Sequence, residues 1–138
     1  MSSIYLMKNT IELKQLKVLA ECKKDNTNIS ELVTDLKHLK SEIEQSISFN
    51  DQIKMFKALS DKNRLLIFEM LLKKGEMCIC EFAIALQKSQ PTISHHIQKL
   101  EAAGLIEGIK SGKFIHYRIK EKSVQKLFHQ ASQNLNFG

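Results

Sequence analysis

The stretch SQPTISHHIQKLEAAG, residues 89–104, decides how this 138-residue chain folds. Ser89 is an N-cap, Pro91 sits in the first turn and Gly104 ends the helix. At about 100° per residue, Ile93, Ile97 and Leu100 fall within about 60° of one another and form the buried side. Ser94, Gln98, His95, Lys99 and Thr92 spread over the opposite side, with Gln90 at the N-terminal end. That outer face contains no acid. Its amides, hydroxyls, imidazole and single ammonium suit base edges and phosphate oxygens, and the helix start adds backbone N–H groups for a phosphate. An arbitrary helix with such a face is usually just solvated, so its neighbours must decide. His95 and His96 diverge by about 100° and are no metal pair; His95 is expected at DNA and His96 in half-buried packing.

The neighbours do decide. Upstream, CICEFAIALQ (78–87) carries Ile79, Phe82, Ala83 and Leu86 at the spacing of a short amphipathic helix. Before it, SDKNRLLIFEMLLKKG (60–75) starts at a Ser60 or Asp61 cap, is apolar nearly all round from Leu65 to Leu72, and stops at Gly75. A helix apolar on so many faces is expected at the centre of a core. QIKMFKAL (52–59) puts Ile53, Phe56 and Leu59 on one face. Downstream, LIEGIK and KFIHYRIK flank Ser111-Gly112 as a hairpin whose tip is basic through Lys110 and Lys113. A closing helix carries Val124, Leu127, Phe128, Ala131 and Leu135 on one stripe. Helix, helix, short helix, turn, helix, β-hairpin, helix is the order of a winged helix-turn-helix, mainly α with a small β-hairpin wing.

The first half of the chain is different. It has no Gly or Pro before Gly75, so turns are expected at the polar clusters KKDNTN (23–28) and SFND (48–51). Between them Asn28 is an N-cap with Glu31 as its partner, and Ile29, Leu32, Leu36, Leu39 and Ile43 follow at spacings of 3, 4, 3, 4. Ser46 interrupts this seam after two heptads, and a helix lying on its own domain or a dimer contact are equal readings of it. Residues 4–22 read as a helix whose apolar positions wrap most of the cylinder. The division expected is a helical N-terminal extension over 1–50, serving dimerisation or sensing, and a winged helix-turn-helix DNA-binding domain over 51–138.

Composition bounds the function. Charged residues make up 26% and hydrophobic ones 43%, which suits a soluble domain with a modest core. No apolar run nears the roughly 18 residues of a membrane span, and the first residues lack signal-peptide order; a cytoplasmic protein without membrane contact is expected. Of the net +6, residues 84–120 hold six Lys/Arg against Glu101 and Glu107, with three of the five histidines. Such uneven charge is a footprint for phosphate. No Gly-rich phosphate loop, paired-carboxylate setting or nucleophile elbow suggests an enzyme.

The segments LSDKNRLLIFEML, CICEFA, SQPTISHHIQKLEAAGLI and GKFIHYRI, in this order and spacing over roughly residues 52–135, resemble the ArsR/SmtB family of metal- and metalloid-responsive repressors. The resemblance implies a homodimer on palindromic double-stranded operator DNA, joined through helices at 52–59 and 121–135, with repression relieved by an inducer. No cofactor is then needed for DNA binding itself. The DNA-contacting set would be Ser89, Gln90, Thr92, Ser94, His95, Gln98 and Lys99 on the helix, and Lys110 and Lys113 on the wing.

The resemblance also bears on Cys78 and Cys80. In this family a Cys-x-Cys at this place is the thiolate site for As(III), Sb(III), Cd(II) or Pb(II). Soft thiolates select such ions, and a helix N-terminus lowers a thiol pKa. Residues two apart in a regular helix point about 200° from each other, so chelation is expected to need an irregular or unwound helix start, releasing the operator. Where one branch of the family has a third sulfur, this chain has Ala83; another branch recruits cysteines from an N-terminal arm, where Cys22 is the one candidate. Metal or metalloid sensing, redox sensing and no sensing role all stay open for the pair, and burial as a small apolar residue stays open for Cys22. Three cysteines, an odd count, argue against a disulfide framework. A helical interaction protein with a degenerate DNA module is the reading from another class. The zinc site that some relatives build between their last helices is not expected, because His129 has only the distant Glu121 near it in sequence. His116 is a packing position on the wing.

Overall fold

The computed structural model describes residues 2–23 and 26–125. The chain divides into two compact units, residues 1–45 and 46–138.

The first unit holds α1 (Ser2–Cys22) and α2 (Ile29–Gln45). The α2 start is built as its sequence dictates: the Glu31 N–H donates to Asn28 Oδ1 at 3.2 Å. Lys37 of α2 pairs with Glu12 of α1 at 3.2 Å.

The second unit runs α3 (Ile47–Leu59), α4 (Lys62–Lys74), β1 (Glu76–Cys78), α5 (Ile79–Leu86), α6 (Gln90–Ala102), β2 (Ile106–Ser111) and β3 (Phe114–Ile119). The turn expected at 48–51 is instead inside α3. The chain breaks earlier, at Ser46, whose φ of −65° and ψ of 136° are extended. Polar residues alone do not stop a helix whose inward face continues, and here that face reaches Met55 and Ala58 in the core. Asp61 is the residue that caps α4, its carboxylate accepting the Arg64 N–H at 3.0 Å. Residues 121–125 are helical; Leu127, Phe128, His129, Ala131 and Leu135 lie outside the described residues.

The core is one layer of helices over a small sheet. Ile67, Phe68 and Leu71 of α4 meet Phe82 of α5, Ile93, Ile97 and Leu100 of α6, and Leu105, Ile106, Met77 and Tyr117 at the sheet. Burying each large side chain contributes roughly 1.5–3 kcal/mol. α4 is less enclosed than its sequence suggests. Leu65, Leu66 and Leu72 remain exposed, because α3, α6 and the sheet leave part of its surface uncovered.

The wing holds a strand that the sequence pattern did not disclose. β3 is central in a three-stranded antiparallel sheet, with β2 on one edge and β1 on the other. β1 pairs Glu76 with Arg118, Met77 with Tyr117 and Cys78 with His116. The β2–β3 turn is at Gly112-Lys113, one residue later than expected, since Ser111 still pairs with Phe114. Gly112 has φ +63°, which a two-residue hairpin turn demands and glycine adopts freely. At Gly108 the constraint is space: a Cβ would sit 2.8 Å from Ile115 Cγ2 and 3.0 Å from Tyr117 Cε1.

Candidate DNA interface and thiol site

α6 begins as its sequence requires. Ser89 is extended, its Oγ accepts the Thr92 N–H at 3.3 Å, and its hydroxyl donates to Thr92 Oγ1 at 2.9 Å. Both hydroxyls are therefore occupied in the cap, while Pro91 fills a first-turn position with no N–H to satisfy. Ile93, Ile97 and Leu100 are buried; Gln90, Thr92, His95, Gln98 and Lys99 are exposed on the other side, and Ser94 is half-buried. Lys110 and Lys113 are exposed on the wing hairpin that follows α6. One helix face and one hairpin thus carry every residue expected at DNA.

The turn before α6 depends on Gln87, which closes α5 in the left-handed region at φ 54° and ψ 46°. Its N–H donates back to Ala83 and Ile84, and the Lys88 N–H donates to the Ala83 carbonyl at 3.2 Å.

A polar clamp that the sequence reading missed ties α6 to α4. Arg64 Nε donates to the Ala58 carbonyl at 2.6 Å, and Arg64 Nη1 lies 3.5 Å from His96 Nδ1. His96 is half-buried, as expected, and held below its ordinary pKa: burial acts first, Asp61 opposes it, and Arg64, His95 and Lys99 reinforce it. A neutral imidazole can accept from the guanidinium.

Cys78 ends β1 and is the N-cap of α5, with φ −94° and ψ 165°. It is not a helical residue, so the 200° divergence does not apply. The Cys78 thiol is buried and the Cys80 thiol half-buried, separated by one residue at the start of α5. The start of α5 is thus irregular at Cys78, which is extended and not helical. Glu81 completes the junction. Its Oε1 accepts the Cys78 N–H at 3.1 Å and lies 3.5 Å from the Cys78 thiol, while Oε2 pairs with Lys74. The Glu81 carboxyl is pulled down to about 2, by Lys74 first and then by the Cys78 N–H.

The Cys78 thiol is pushed up from its ordinary 9.0, not down. The Cys80 thiol is the first cause and burial the second; the Glu81 carboxylate adds to them. Together they outweigh the N-terminal N–H groups from which a lowered value was expected. Cys22, exposed at the end of α1, belongs to the other unit. Among the described residues no three His, Cys, Asp or Glu side chains form a group that would hold a metal ion. Nor, among them, is any helix long and apolar enough to cross a membrane.

A helix-turn-helix whose second helix presents Gln90, Thr92, His95, Gln98 and Lys99, followed by a basic wing, defines a winged helix-turn-helix protein. Residues 61–107 match the model of the bacterial regulatory protein, arsR family. The chain belongs to that family, as its relatives show. It is 44% identical over 73 residues to the arsenical resistance operon repressor of Escherichia coli K12, a match covering 53% of this chain and 62% of that one. It is 37% identical over 81 residues to a cadmium resistance transcriptional regulatory protein CadC homolog of Staphylococcus aureus, covering 59% of this chain and 67% of that one. The chain thus spans less than two thirds of the E. coli repressor's length. Among solved structures, the homodimeric winged helix-turn-helix DNA-binding domain Mb0332 from Mycobacterium bovis is similar with a TM-score of 0.52 and 31% identity, over 64% of this chain and 85% of that one.

Proposed function

We propose that the chain is a homodimeric cytoplasmic repressor that holds operator DNA and lets it go when a thiophilic ion binds Cys78 and Cys80. The observation that carries this reading is the placement of Cys78 and Cys80 at the joint between β1 and α5, Cys78 extended as the cap and Cys80 in the first turn. As(III), Sb(III), Cd(II) and Pb(II) are the inducers that such soft donors favour, and the two named relatives concern arsenical and cadmium resistance. Two sulfurs alone leave such an ion short of donors, so Cys22 remains the candidate for a third.

DNA is read by Gln90, Thr92, Ser94, His95, Gln98 and Lys99, with Lys110 and Lys113 on flanking phosphate and Ser89 acting through its cap. Cys78 is at once the register partner of His116 in the wing and the cap of α5. Movement of its sulfur toward an ion strains both elements that flank α6, which couples the thiols to the DNA-reading face. The exposed Ile53 and Phe56 of α3 are the described part of the dimer contact, and the similar M. bovis domain is homodimeric.

The test is a titration of reduced protein on DNA from upstream of its own coding sequence, followed by As(III), Sb(III), Cd(II), Zn(II) or peroxide. Wild type is compared with Cys78→Ser, Cys80→Ser and Cys22→Ser. Release by a metal or metalloid that both Cys78→Ser and Cys80→Ser abolish supports the reading. Release by peroxide alone replaces it with redox sensing, and release that survives both substitutions removes the thiols from the mechanism.

A further inference from the structure

The two-helix unit of residues 1–45 has an unmet requirement. None of its described side chains is fully buried. Near the connection between the helices, Leu16, Leu19, Ile29, Leu32 and Val33 are half-buried. Away from it the apolar residues stand open: Ile11 is 53% exposed, Leu13 61%, Leu36 47% and Leu39 52%. Helices of this length are marginal alone in water, and two of them without a core do not make a stable fold. On α2, Leu36 and Leu39 continue one apolar stripe, and it must be covered.

We infer that it is covered by the same stripe of a second copy, so that two arms pair as a helical bundle. The seam on α2 has the 3, 4, 3, 4 spacing of helix-on-helix packing, not the irregular lining of a ligand groove. Charge points to a like partner. Residues 1–45 hold seven Lys and seven Asp/Glu, so two copies meet without net repulsion, and nothing in the arm attracts nucleic acid as residues 84–120 do. The Lys37–Glu12 pair at 3.2 Å holds α1 to α2, so the hairpin is presented as a unit. The inference rests in part on the dimeric reading above: a dimer formed through the winged helix domains tethers two arms at effective concentrations on the order of millimolar. The arm then adds a second, separate interface to the same dimer.

The experiment is sedimentation equilibrium of the reduced full chain as wild type, as Leu36→Glu/Leu39→Glu, as Leu36→Ala/Leu39→Ala and as Ile53→Glu/Phe56→Glu. All four arm substitutions replace exposed side chains, and the near-UV signal of buried Tyr117 reports that the winged helix domain still folds. Paired arms predict a dimer dissociation constant raised at least about tenfold by the glutamates and less by the alanines, with loss of far-UV helicity. An unchanged dissociation constant in both arm variants overturns the inference, whether the arm lies on its own domain or takes another protein. Dimerisation lost in Ile53→Glu/Phe56→Glu and intact in the arm variants overturns it while leaving the dimeric repressor standing. A monomeric wild type overturns both.

Discussion

One carboxylate oxygen of Glu81 accepts the Cys78 N–H at 3.1 Å and lies 3.5 Å from the thiol of the same residue. The backbone cap of α5 and the environment of the sulfur are therefore set by a single group. Any ligand that draws the Cys78 sulfur away disturbs the cap, and any change at Glu81 is felt at the sulfur.

The first prediction follows from that charge. Because the Glu81 carboxyl falls from 4.5 to about 2 on folding, its contribution is complete above pH 4.5 and is lost as pH falls through about 2. Carboxyl ¹³C NMR is expected to show Glu81 still ionised at pH 3. In Glu81→Gln the melting temperature should fall at pH 7 and depend less on pH below 4.5. A Glu81 resonance titrating near 4.5 contradicts the arrangement.

His96 gives a second pH dependence, at higher pH. Its folded pKa lies below the ordinary 6.5, so the folded state resists taking up the proton. The stabilising contribution is present above pH 6.5 and declines as acid protonates the ring, when the imidazolium faces Arg64. Thermal melts of wild type from pH 7.5 to 5 should fall more steeply than those of His96→Gln. Parallel curves would dismiss the clamp.

The two faces of α6 should separate cleanly. Ile97→Ala removes a buried side chain and should cost about 2–5 kcal/mol of stability by urea unfolding. Lys99→Ala on the outer face should leave stability within about 0.5 kcal/mol, and lower the slope of DNA affinity against salt by about 1 in logarithmic terms. His95→Ala should weaken DNA binding with no change in unfolding. Equal stability losses in all three would mean that the outer face packs against protein.

At the turn between α5 and α6, Gln87 occupies the left-handed region that a side chain adopts at some cost. Gln87→Gly relieves the strain but loosens the unfolded chain, and the two nearly offset. A net stabilisation of up to about 1 kcal/mol is expected, seen as a Tm higher by a few degrees. A lower Tm would show that the Gln87 side chain is making a contact of its own.

Much of this architecture was written in local signals. Asp61 and Ser89 cap where their positions before apolar periodic runs require, and the inward and outward sides of α6 follow from a period of 3.6 with no acid among Gln90, Thr92, Ser94, His95, Gln98 and Lys99. Periodicity and capping are properties of neighbouring residues, so the chain alone carries them. Three features were not legible. β1 is three residues long, too short for a pattern of its own, and exists because Glu76, Met77 and Cys78 find partners in β3 some forty residues on. That pairing makes Cys78 extended, so the two cysteines do not stand at a regular helical spacing. The direction of the thiol's shift likewise depends on burial and on the Cys80 and Glu81 side chains, not on the helix start. Lastly, Leu65, Leu66 and Leu72 read as core but stand exposed, because hydrophobicity states which side chains gain from burial while only the packed elements decide which are covered.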